Sequence, residues 1–355
     1  MFKCNALTNG LTILPDGKIT PCCAFDNTYS EEYASGQPRF VKIQQAFNNG
    51  IQHPACQSCW TNEADGLTSL RTNFYNDFNI EESDCVKFLD LRNTNLCNLA
   101  CRMCTPYFSS TLAKLENQTT PIIRAPLDNY CDDINFDKLV DVYFTGGEPF
   151  INPDHWRVLE SIKNPQNVSL RYNSNLTLLT YKDKHIFDYW PEFKRVYFQA
   201  SLEGHGDLNN SIRIGSDWDN IQHNINQLID YQKKHSNLQL AIFVCISMLN
   251  VWGLEKLIDY ALSIGISEIN GIYIDHPDII SLNSLPLNSR DRVKKILADA
   301  STKVSGNFKN ILLNGIKKLD TKDTTELFEA GMTQIQQQDR QHNLDLYNQI
   351  KQNLL

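Results

Sequence analysis

Short apolar segments alternate with amphipathic ones from residue 85 onward, and this alternation constrains the fold more than any other feature of the chain. The apolar segments predict six strands, at 85–92, 139–144, 168–173, 195–202, 238–248 and 268–274. The amphipathic patterns between them predict helices near 106–117, 153–163, 180–189, 217–235 and 251–264. Strands and helices that alternate in this way form right-handed β-α-β units around a parallel sheet. We therefore expect an α/β fold over residues 81–275, an open (β/α)6 partial TIM barrel.

The regions on either side of this core have a different character. Residues 1–80 are loop-rich, and we expect a small Cys-rich N-terminal module there. Within it, 11–14 and 18–20 flank Pro15-Asp16-Gly17 and predict a β-hairpin. Residues 276–355 predict a helical C-terminal extension. Its last, glutamine-biased segment is expected to be a solvated helix that packs through Leu344, Leu346, Tyr347 and Ile350.

Charge and hydropathy exclude several classes of partner. A formal net charge of −8 leaves no basic surplus for binding a phosphate backbone, so we expect no nucleic-acid partner. The N-terminus lacks the apolar core of a signal peptide, and the most apolar stretch, 240–249, is about half as long as a membrane span. We expect a cytoplasmic protein without membrane contact. In that compartment, clustered cysteines bind metal more often than they form disulfides.

Three cysteines follow the first predicted strand, at Cys97, Cys101 and Cys104, with the spacing C-x3-C-x2-C. No fourth cysteine follows closely, whereas a closed metal site takes four protein ligands. Three thiolates on one short loop would hold a 4Fe-4S cluster and leave one iron open to a small molecule. A zinc loop or three unrelated core cysteines are the alternatives.

A second motif, Gly146-Gly147-Glu148-Pro149, follows the second predicted strand. Glycines allow the backbone to approach a neighbouring group closely. Ligands of parallel α/β sheets bind at the carboxyl ends of the strands. The cysteine loop and the Gly-Gly-Glu-Pro turn are therefore expected at the same edge of the sheet. A plain strand-to-helix turn is the alternative for the second motif.

The two motifs, in this order, resemble those of the radical S-adenosylmethionine (SAM) superfamily, whose fold is also a partial TIM barrel. The resemblance implies that Cys97, Cys101 and Cys104 bind a 4Fe-4S cluster that reductively cleaves SAM to a 5′-deoxyadenosyl radical. It also implies that the turn at Gly146, Gly147, Glu148 and Pro149 contacts the SAM amino group.

Further SAM contacts are implied residue by residue. Met103 occupies the position near the adenine, although core packing explains a Met equally well. Asn173 ends the third strand, where it is either a SAM contact or an ordinary turn residue. Ser201 and Glu203 resemble a Ser-x-Asp element that contacts the ribose, with Glu in place of the more usual Asp. Arg213 matches an arginine that pairs with the SAM carboxylate, and a surface salt bridge is its alternative. Asn250 is a weaker candidate for the same pocket.

A second set of cysteines lies in the N-terminal module. Cys4, Cys22, Cys56 and Cys59 resemble the ligands of the SPASM/twitch auxiliary-cluster modules, which usually follow the barrel rather than precede it. The resemblance implies a second, fully ligated 4Fe-4S cluster, and a structural zinc site of four cysteines is the alternative. Cys23 could replace Cys22. The remaining cysteines, Cys85, Cys131 and Cys245, are interpreted as core or surface thiols.

The predicted function is that of a radical SAM enzyme with one auxiliary cluster. It would abstract hydrogen from a substrate, either a peptide or protein side chain or a small metabolite. An external donor such as a ferredoxin or flavodoxin would supply electrons. The first alternative is a non-catalytic iron–sulfur redox or binding protein on the same fold. The second is a radical SAM enzyme whose N-terminal module holds structural zinc.

Overall fold

The computed structural model describes residues 2–77, 85–320 and 325–355. The predicted boundary between the N-terminal module and the core, at residue 80, lies outside the described residues. The strands are β1 (Gly10–Ile13), β2 (Lys18–Thr20), β3 (Glu31–Glu32), β4 (Phe88–Leu91), β5 (Ala100–Cys101), β6 (Asp141–Phe144), β7 (Ser169–Ser174), β8 (Thr180–Tyr181), β9 (Lys184–His185), β10 (Arg195–Ser201), β11 (Arg213–Ile214), β12 (Leu238–Ile246) and β13 (Ile269–Tyr273).

The helices lie mainly between the strands and after the last one. They are α1 (Asn5–Asn9), α2 (Val41–Asn48), α3 (Gln57–Ala64), α4 (Leu70–Asp77), α5 (Ser110–Leu115), α6 (Pro153–Ser161), α7 (Asp207–Ile212), α8 (Trp218–Lys234), α9 (Leu254–Ser263), α10 (Leu287–Lys303), α11 (Gly306–Lys318), α12 (Thr325–His342) and α13 (Leu346–Leu354). Within the described ranges, no helix combines the length and the apolar character needed to cross a bilayer.

A central, mostly parallel sheet organises the molecule, as predicted. Its strand order is β13-β12-β10-β7-β6-β4-β1-β2-β3. The six predicted strands correspond to β4, β6, β7, β10, β12 and β13, and all of their pairings are parallel. The α/β class with a parallel sheet is therefore confirmed.

The N-terminal hairpin extends this sheet. Strands β1 and β2 pair antiparallel, as the hairpin prediction required. In addition, β1 pairs with β4 in parallel, with Gly10 opposite Phe88 and Ile13 opposite Leu91. The N-terminal region thus shares a continuous sheet with the core.

The two faces of the sheet differ in polarity. On β7 and β10, Leu170, Tyr172, Val196 and Phe198 are fully buried, because helices and aromatic side chains cover that face. The alternate residues, which point to the other side, are polar and half-buried. We call this second side the polar face, defined by Asp90, Tyr143, Arg171, Asn173, Tyr197 and Gln199.

One predicted helix, at 180–189, is wrong. The segment forms the short hairpin β8–β9, with Thr180 opposite His185 and Tyr181 opposite Lys184. Lys182, at the turn, has φ 55°, a left-handed conformation that ends any helix. A 3-10 turn from Ile186 to Asp188 follows.

The C-terminal extension is helical, as predicted. The glutamine-biased segment forms two helices, α12 and α13, separated by a turn at Asn343, where φ is 53°. The single predicted helix is therefore two helices. Of its predicted packing residues, Leu346 and Ile350 are fully buried, whereas Tyr347 is half-buried and Leu344 is half-buried in the turn before α13.

Candidate functional site

The loop that carries Cys97, Cys101 and Cys104 begins where β4 ends, and the first turn of α5 holds it. Cys97 donates its backbone N–H to Ser110 Oγ (3.2 Å), and its carbonyl accepts a hydrogen bond from Thr111 Oγ1 (2.6 Å). Ser109, the N-cap of α5, donates to the carbonyl of Leu99 (2.7 Å). The loop therefore has fixed anchors on both sides of Cys97.

Arg213 lies beside the second cysteine. The loop contributes the two-residue strand β5, which pairs antiparallel with β11, and Arg213 is directly opposite Cys101. Arg213 Nη1 is 3.7 Å from Cys101 Sγ, and Nη2 donates to Glu203 Oε1 (2.6 Å). Its Nε is buried and has no hydrogen-bond partner in the part of the chain that the structure describes. A buried donor without a partner is costly, and it suits a ligand that brings an acceptor.

Glu203 connects the ends of β10 and β12. Its Oε2 accepts hydrogen bonds from the backbone N–H of Cys245 (2.8 Å) and from Asn250 Nδ2 (3.4 Å). Burial raises the pKa of the Glu203 carboxyl, and the nearby Arg213 opposes that shift. The predicted contacts of Glu203 with the ribose and of Arg213 with the SAM carboxylate remain predictions. In the structure, these two side chains bind each other.

The Gly-Gly-Glu-Pro turn lies against the segment that leads to Cys97. A Cβ at Gly147 would lie 1.9 Å from the carbonyl oxygen of Leu96, and one at Gly146 would lie 2.9 Å from Arg92 Cα. Gly146 also has φ 102°. The backbone N–H of Glu148 donates to the Leu96 carbonyl (2.7 Å). The close contact between the two motifs therefore requires both glycines, independently of any ligand.

The carboxylate of Glu148 is buried and organises the end of β7. It accepts hydrogen bonds from Ser174 Oγ (2.8 Å), the backbone N–H of Asn175 (2.8 Å) and the backbone N–H of Phe150 (3.3 Å). Burial raises its pKa to about 7, although these donors favour the charged form. Pro149 starts the 3-10 turn Pro149–Ile151 that follows.

Other predicted residues lie farther from the thiols or lack a distinct contact. Asn173 points to the polar face, where it accepts hydrogen bonds from Tyr143 Oη (2.9 Å) and Gln199 Nε2 (2.7 Å). Ser201 is half-buried on the same side of β10. Met103 is half-buried against the core.

The sequence predicted that Asn173, near the end of β7, contacts SAM. In the structure Asn175, two residues later, lies nearer the cysteines. Asn175 Nδ2 donates to Asn98 Oδ1 (2.9 Å) and is 4.0 Å from Cys97 Sγ. The signal in the sequence is the run Asn173-Ser174-Asn175, which spans the end of β7.

The four predicted N-terminal ligands surround one cavity. Cys4 precedes α1, Cys22 follows β2, Cys56 precedes α3, and Cys59 lies within α3. All four line one small cavity, of about 10 Å³, together with Arg71. Arg71 pairs with Glu63 and lies 4.9 Å from the centre of the Trp60 ring. Within the described part of the chain, no three His, Cys, Asp or Glu side chains meet closely enough to hold a single metal ion.

Cys23 is separated from this cavity. Its thiol lies within electrostatic range of Asp90, Arg92 and Arg171, which belong to the polar face or adjoin it. Cys22 interacts with its neighbour Cys23 and also with Cys4 and Cys59. Cys22, unlike Cys23, lines the cavity with the other three cysteines.

Both cysteine sets are protonated at neutral pH when no metal is bound. Burial raises the pKa of Cys4 to about 11, and that of Cys56 and Cys104 to about 12. It also raises the pKa of Cys97 and Cys101, although Arg213 partly offsets the effect at Cys101. Metal binding at these thiols must release protons.

The family comparison agrees with this geometry. Residues 93–261 match the model described as the Radical SAM superfamily. This stretch, slightly less than half of the chain, is similar to that family. It contains the loop of Cys97, Cys101 and Cys104, the Gly-Gly-Glu-Pro turn and the pair Glu203–Arg213, whereas the N-terminal cysteines lie outside it.

Solved structures are similar to part of this chain. One is native anSMEcpe with bound AdoMet (17% identity, 64% of this chain and 62% of that chain, TM-score 0.42). Another is SuiB of Streptococcus suis bound to S-adenosylmethionine (14%, 77% and 52%, 0.38). A third is TYW1 with a lysine-pyruvate adduct (12%, 75% and 90%, 0.39). The chain spans less than two thirds of the length of the first two. No curated protein sequence matches it.

Proposed function

We propose that the protein is a radical SAM enzyme. Cys97, Cys101 and Cys104 would hold a 4Fe-4S cluster, and SAM would bind between the cysteine loop and the ends of β6, β7, β10 and β12. When bound and reduced, this pair of cofactors supplies a 5′-deoxyadenosyl radical.

The buried guanidinium of Arg213 is the observation that carries the proposal. It lies 3.7 Å from Cys101 Sγ and is paired with a fully buried Glu203. Among the described residues, its Nε has no hydrogen-bond partner. This donor suits a carboxylate placed beside the cysteine loop, because a guanidinium binds carboxylates strongly and directionally.

The remaining polar groups fix the geometry of the pocket. Glu203 holds Arg213 in place and ties it to the end of β12 through Cys245 and Asn250. Glu148 fixes the start of the loop after β7, which positions Asn175 near Cys97. Rigid anchors of this kind align reactive groups and exclude water.

The N-terminal cysteines support an auxiliary cluster. We infer that Cys4, Cys22, Cys56 and Cys59 hold a second 4Fe-4S cluster with complete protein ligation. The four cysteines line the same small cavity, of about 10 Å³, so all four predicted ligands adjoin one space. A structural zinc ion is the other candidate for these ligands, because tetrahedral zinc sites use the same four thiolates.

The substrate would bind along the polar face of the sheet. Asp90 and Arg92 pair there, and Asp141 pairs with Arg171, with Tyr143 between the two arginines in electrostatic range of both. This lining favours a polar substrate, a peptide or protein side chain or a small metabolite. We propose a ferredoxin or flavodoxin as the electron donor.

Metal content and electron paramagnetic resonance test the proposal. After anaerobic reconstitution, we expect about eight irons per chain and a reduced-state signal that changes on addition of SAM. About four irons with one zinc would retain the enzyme and make the N-terminal site structural. A signal indifferent to SAM would favour the non-catalytic iron–sulfur protein, and failure to release 5′-deoxyadenosine under reducing conditions would exclude turnover.

A further inference from the structure

Arg102 lies between two of the loop cysteines, yet its side chain points away from them into the protein. The side chain is 1% exposed. Its Nε donates to the carbonyl of Ser211 (2.6 Å), which belongs to α7. The backbone N–H of Arg102 donates to Ile212 (3.0 Å), next to the β5–β11 pairing. A charged residue in the middle of the loop is thus used entirely for internal contacts.

The same guanidinium reaches the C-terminal helices. Nη1 donates to the side chain of Gln338 (3.0 Å) and to the carbonyl of Ile335 (3.3 Å), both on α12. Nη2 forms a salt bridge with Asp339 Oδ1. Asp339 Oδ2 in turn accepts a hydrogen bond from the backbone N–H of Tyr347 (2.7 Å), at the start of α13. One side chain therefore joins the cysteine loop to α7 and α12, and through Asp339 to α13.

Helix α12 also packs closely against the segment that follows β12. A Cβ at Gly331 would lie 2.2 Å from the carbonyl oxygen of Ile279 and 3.2 Å from Met248 Cε. Met248 donates its backbone N–H to Ile280 (3.0 Å). Asn250, two residues later, donates to Glu203. The C-terminal helices thus contact two of the segments that form the SAM pocket, the cysteine loop and the end of β12.

We propose that Arg102 is a positioning residue for the cysteine loop and that α12 and α13 serve as its fixed support. The inference rests on the proposed function, since it concerns the cluster that the loop would hold. Strand β5 has only two residues, so its pairing with β11 gives the loop little support. The planar fork of Arg102, with four hydrogen bonds, fixes the backbone between Cys101 and Cys104. Lys cannot reproduce that fork, because its ammonium group is a single point charge.

The test compares Arg102→Lys and Asp339→Asn with a matched control, Arg290→Lys, in the full-length reconstituted protein. Arg290 is equally buried and donates to the carbonyls of Leu285 (3.1 Å), Leu319 (3.0 Å) and Asn283 (2.9 Å), away from both cysteine sets. The readouts are iron per chain after gel filtration, the SAM dissociation constant by equilibrium dialysis, and the reduced-state spectrum with and without SAM. The thermal midpoint of each variant is measured alongside.

Groups that support metal ligands from behind contribute about 10-fold to 100-fold in affinity. At a similar loss of thermal midpoint, Arg102→Lys and Asp339→Asn should weaken SAM binding at least about 10-fold or lose the SAM-sensitive iron, while Arg290→Lys keeps both. If Arg102→Lys fails to fold, Asp339→Asn still tests the inference, because asparagine keeps the shape of aspartate and one acceptor oxygen. Equal losses in all three variants, or none, would overturn the inference. A wild-type protein without SAM-sensitive iron would instead overturn the proposed function itself.

Discussion

Arg213 and Cys101 face each other across a ribbon of two residue pairs, with the guanidinium 3.7 Å from the thiol sulfur. A fixed positive charge next to a buried thiol favours the thiolate, which is the form that binds metal. The same guanidinium is anchored by Glu203 and has one N–H to spare. Arg213 therefore contacts both a predicted cluster ligand and the predicted SAM pocket.

Arg213→Lys should bind SAM at least about 10-fold more weakly than the wild type, because a charged hydrogen bond contributes about 1.5–3 kcal/mol. The ammonium keeps the charge beside Glu203 but loses the planar fork. Equilibrium dialysis with the reconstituted protein measures the change. Lys184→Met, which breaks an exposed ion pair with Glu160, is the control and should bind SAM normally. An unchanged SAM affinity in Arg213→Lys would show that Arg213 forms only an internal salt bridge.

Cys97→Ala should abolish both the SAM-dependent spectral change and 5′-deoxyadenosine release, because two protein ligands remain for a cluster that needs three. Iron should fall by about four per chain, the content of one cubane. Cys131→Ala is the matched control, since this half-buried thiol contacts only the Leu127 carbonyl and Arg157 among its described hydrogen-bond partners. Retained cleavage in Cys97→Ala would exclude this residue as a ligand.

Cys22→Ser and Cys23→Ser should differ, although the residues are adjacent. Cys22 lines the N-terminal cavity, so its loss should remove about four irons, or the single zinc, while SAM cleavage at the other site continues. Cys23 interacts with Asp90 and Arg92 instead, so Cys23→Ser should keep the full metal content. Metal analysis by mass spectrometry decides between them. Loss of metal in Cys23→Ser but not in Cys22→Ser would show that Cys23 is the ligand instead of Cys22.

Gly147→Ala should lower the thermal midpoint and reduce iron loading at the SAM-binding site. The new methyl group would meet the Leu96 carbonyl oxygen at 1.9 Å, and overpacking against backbone costs about 1–3 kcal/mol or more. Leu96 precedes Cys97, so the displacement reaches the first ligand. Gly265→Ala is the control, because its Cβ would enter open space and cause only the strain of φ 83°. Equal iron loading in both variants would contradict the packing argument.

The stability of the metal-free protein should carry a pH signature of Glu148. Burial raises the pKa of this carboxyl from 4.5 to about 7 in the folded state. Folding therefore takes up a proton between these values, so the contribution of Glu148 is largest at low pH and declines as pH rises through about 7. The decline amounts to about 3 kcal/mol at most.

Urea unfolding of the wild type and Glu148→Gln at about pH 5.5 and about pH 8 isolates this effect, because the other titrating groups cancel in the difference. The free energy of unfolding of the wild type, relative to that of Glu148→Gln, should decrease as the pH rises. A difference that stays constant between the two pH values would show that the carboxyl has an ordinary pKa.

Much of the core could be predicted from the sequence because its signals are local. Each predicted range contains a strand of the parallel sheet: β4, β6, β10, β12 and β13 lie within their ranges, and β7 ends one residue beyond its range. The hairpin β1–β2 follows from Pro-Asp-Gly between two short apolar segments. The spacing of Cys97, Cys101 and Cys104 is visible in the sequence alone.

Other features depend on contacts between distant segments and leave no local signal. The pairing of β1 with β4 joins residues 10–13 to 88–91, and the bond from Arg102 to Asp339 spans more than two thirds of the chain. The helix predicted at 180–189 failed because the left-handed turn at Lys182 outweighs its helical pattern. Cys22 and Cys23 have the same chemistry in the sequence, and only the direction of each thiol separates them.

The pairing of β1 with β4 also bears on how the chain is made and how it can be divided. During synthesis, β1 and β2 emerge before residues 88–91, so β1 has no neighbour on its other side until β4 is made. If the segment before residue 80 were removed, β4 would become an edge strand with unpaired N–H and C=O groups. Such an edge invites pairing with other chains. The hairpin thus protects the sheet from aggregation, in addition to delivering Cys22 to its cavity.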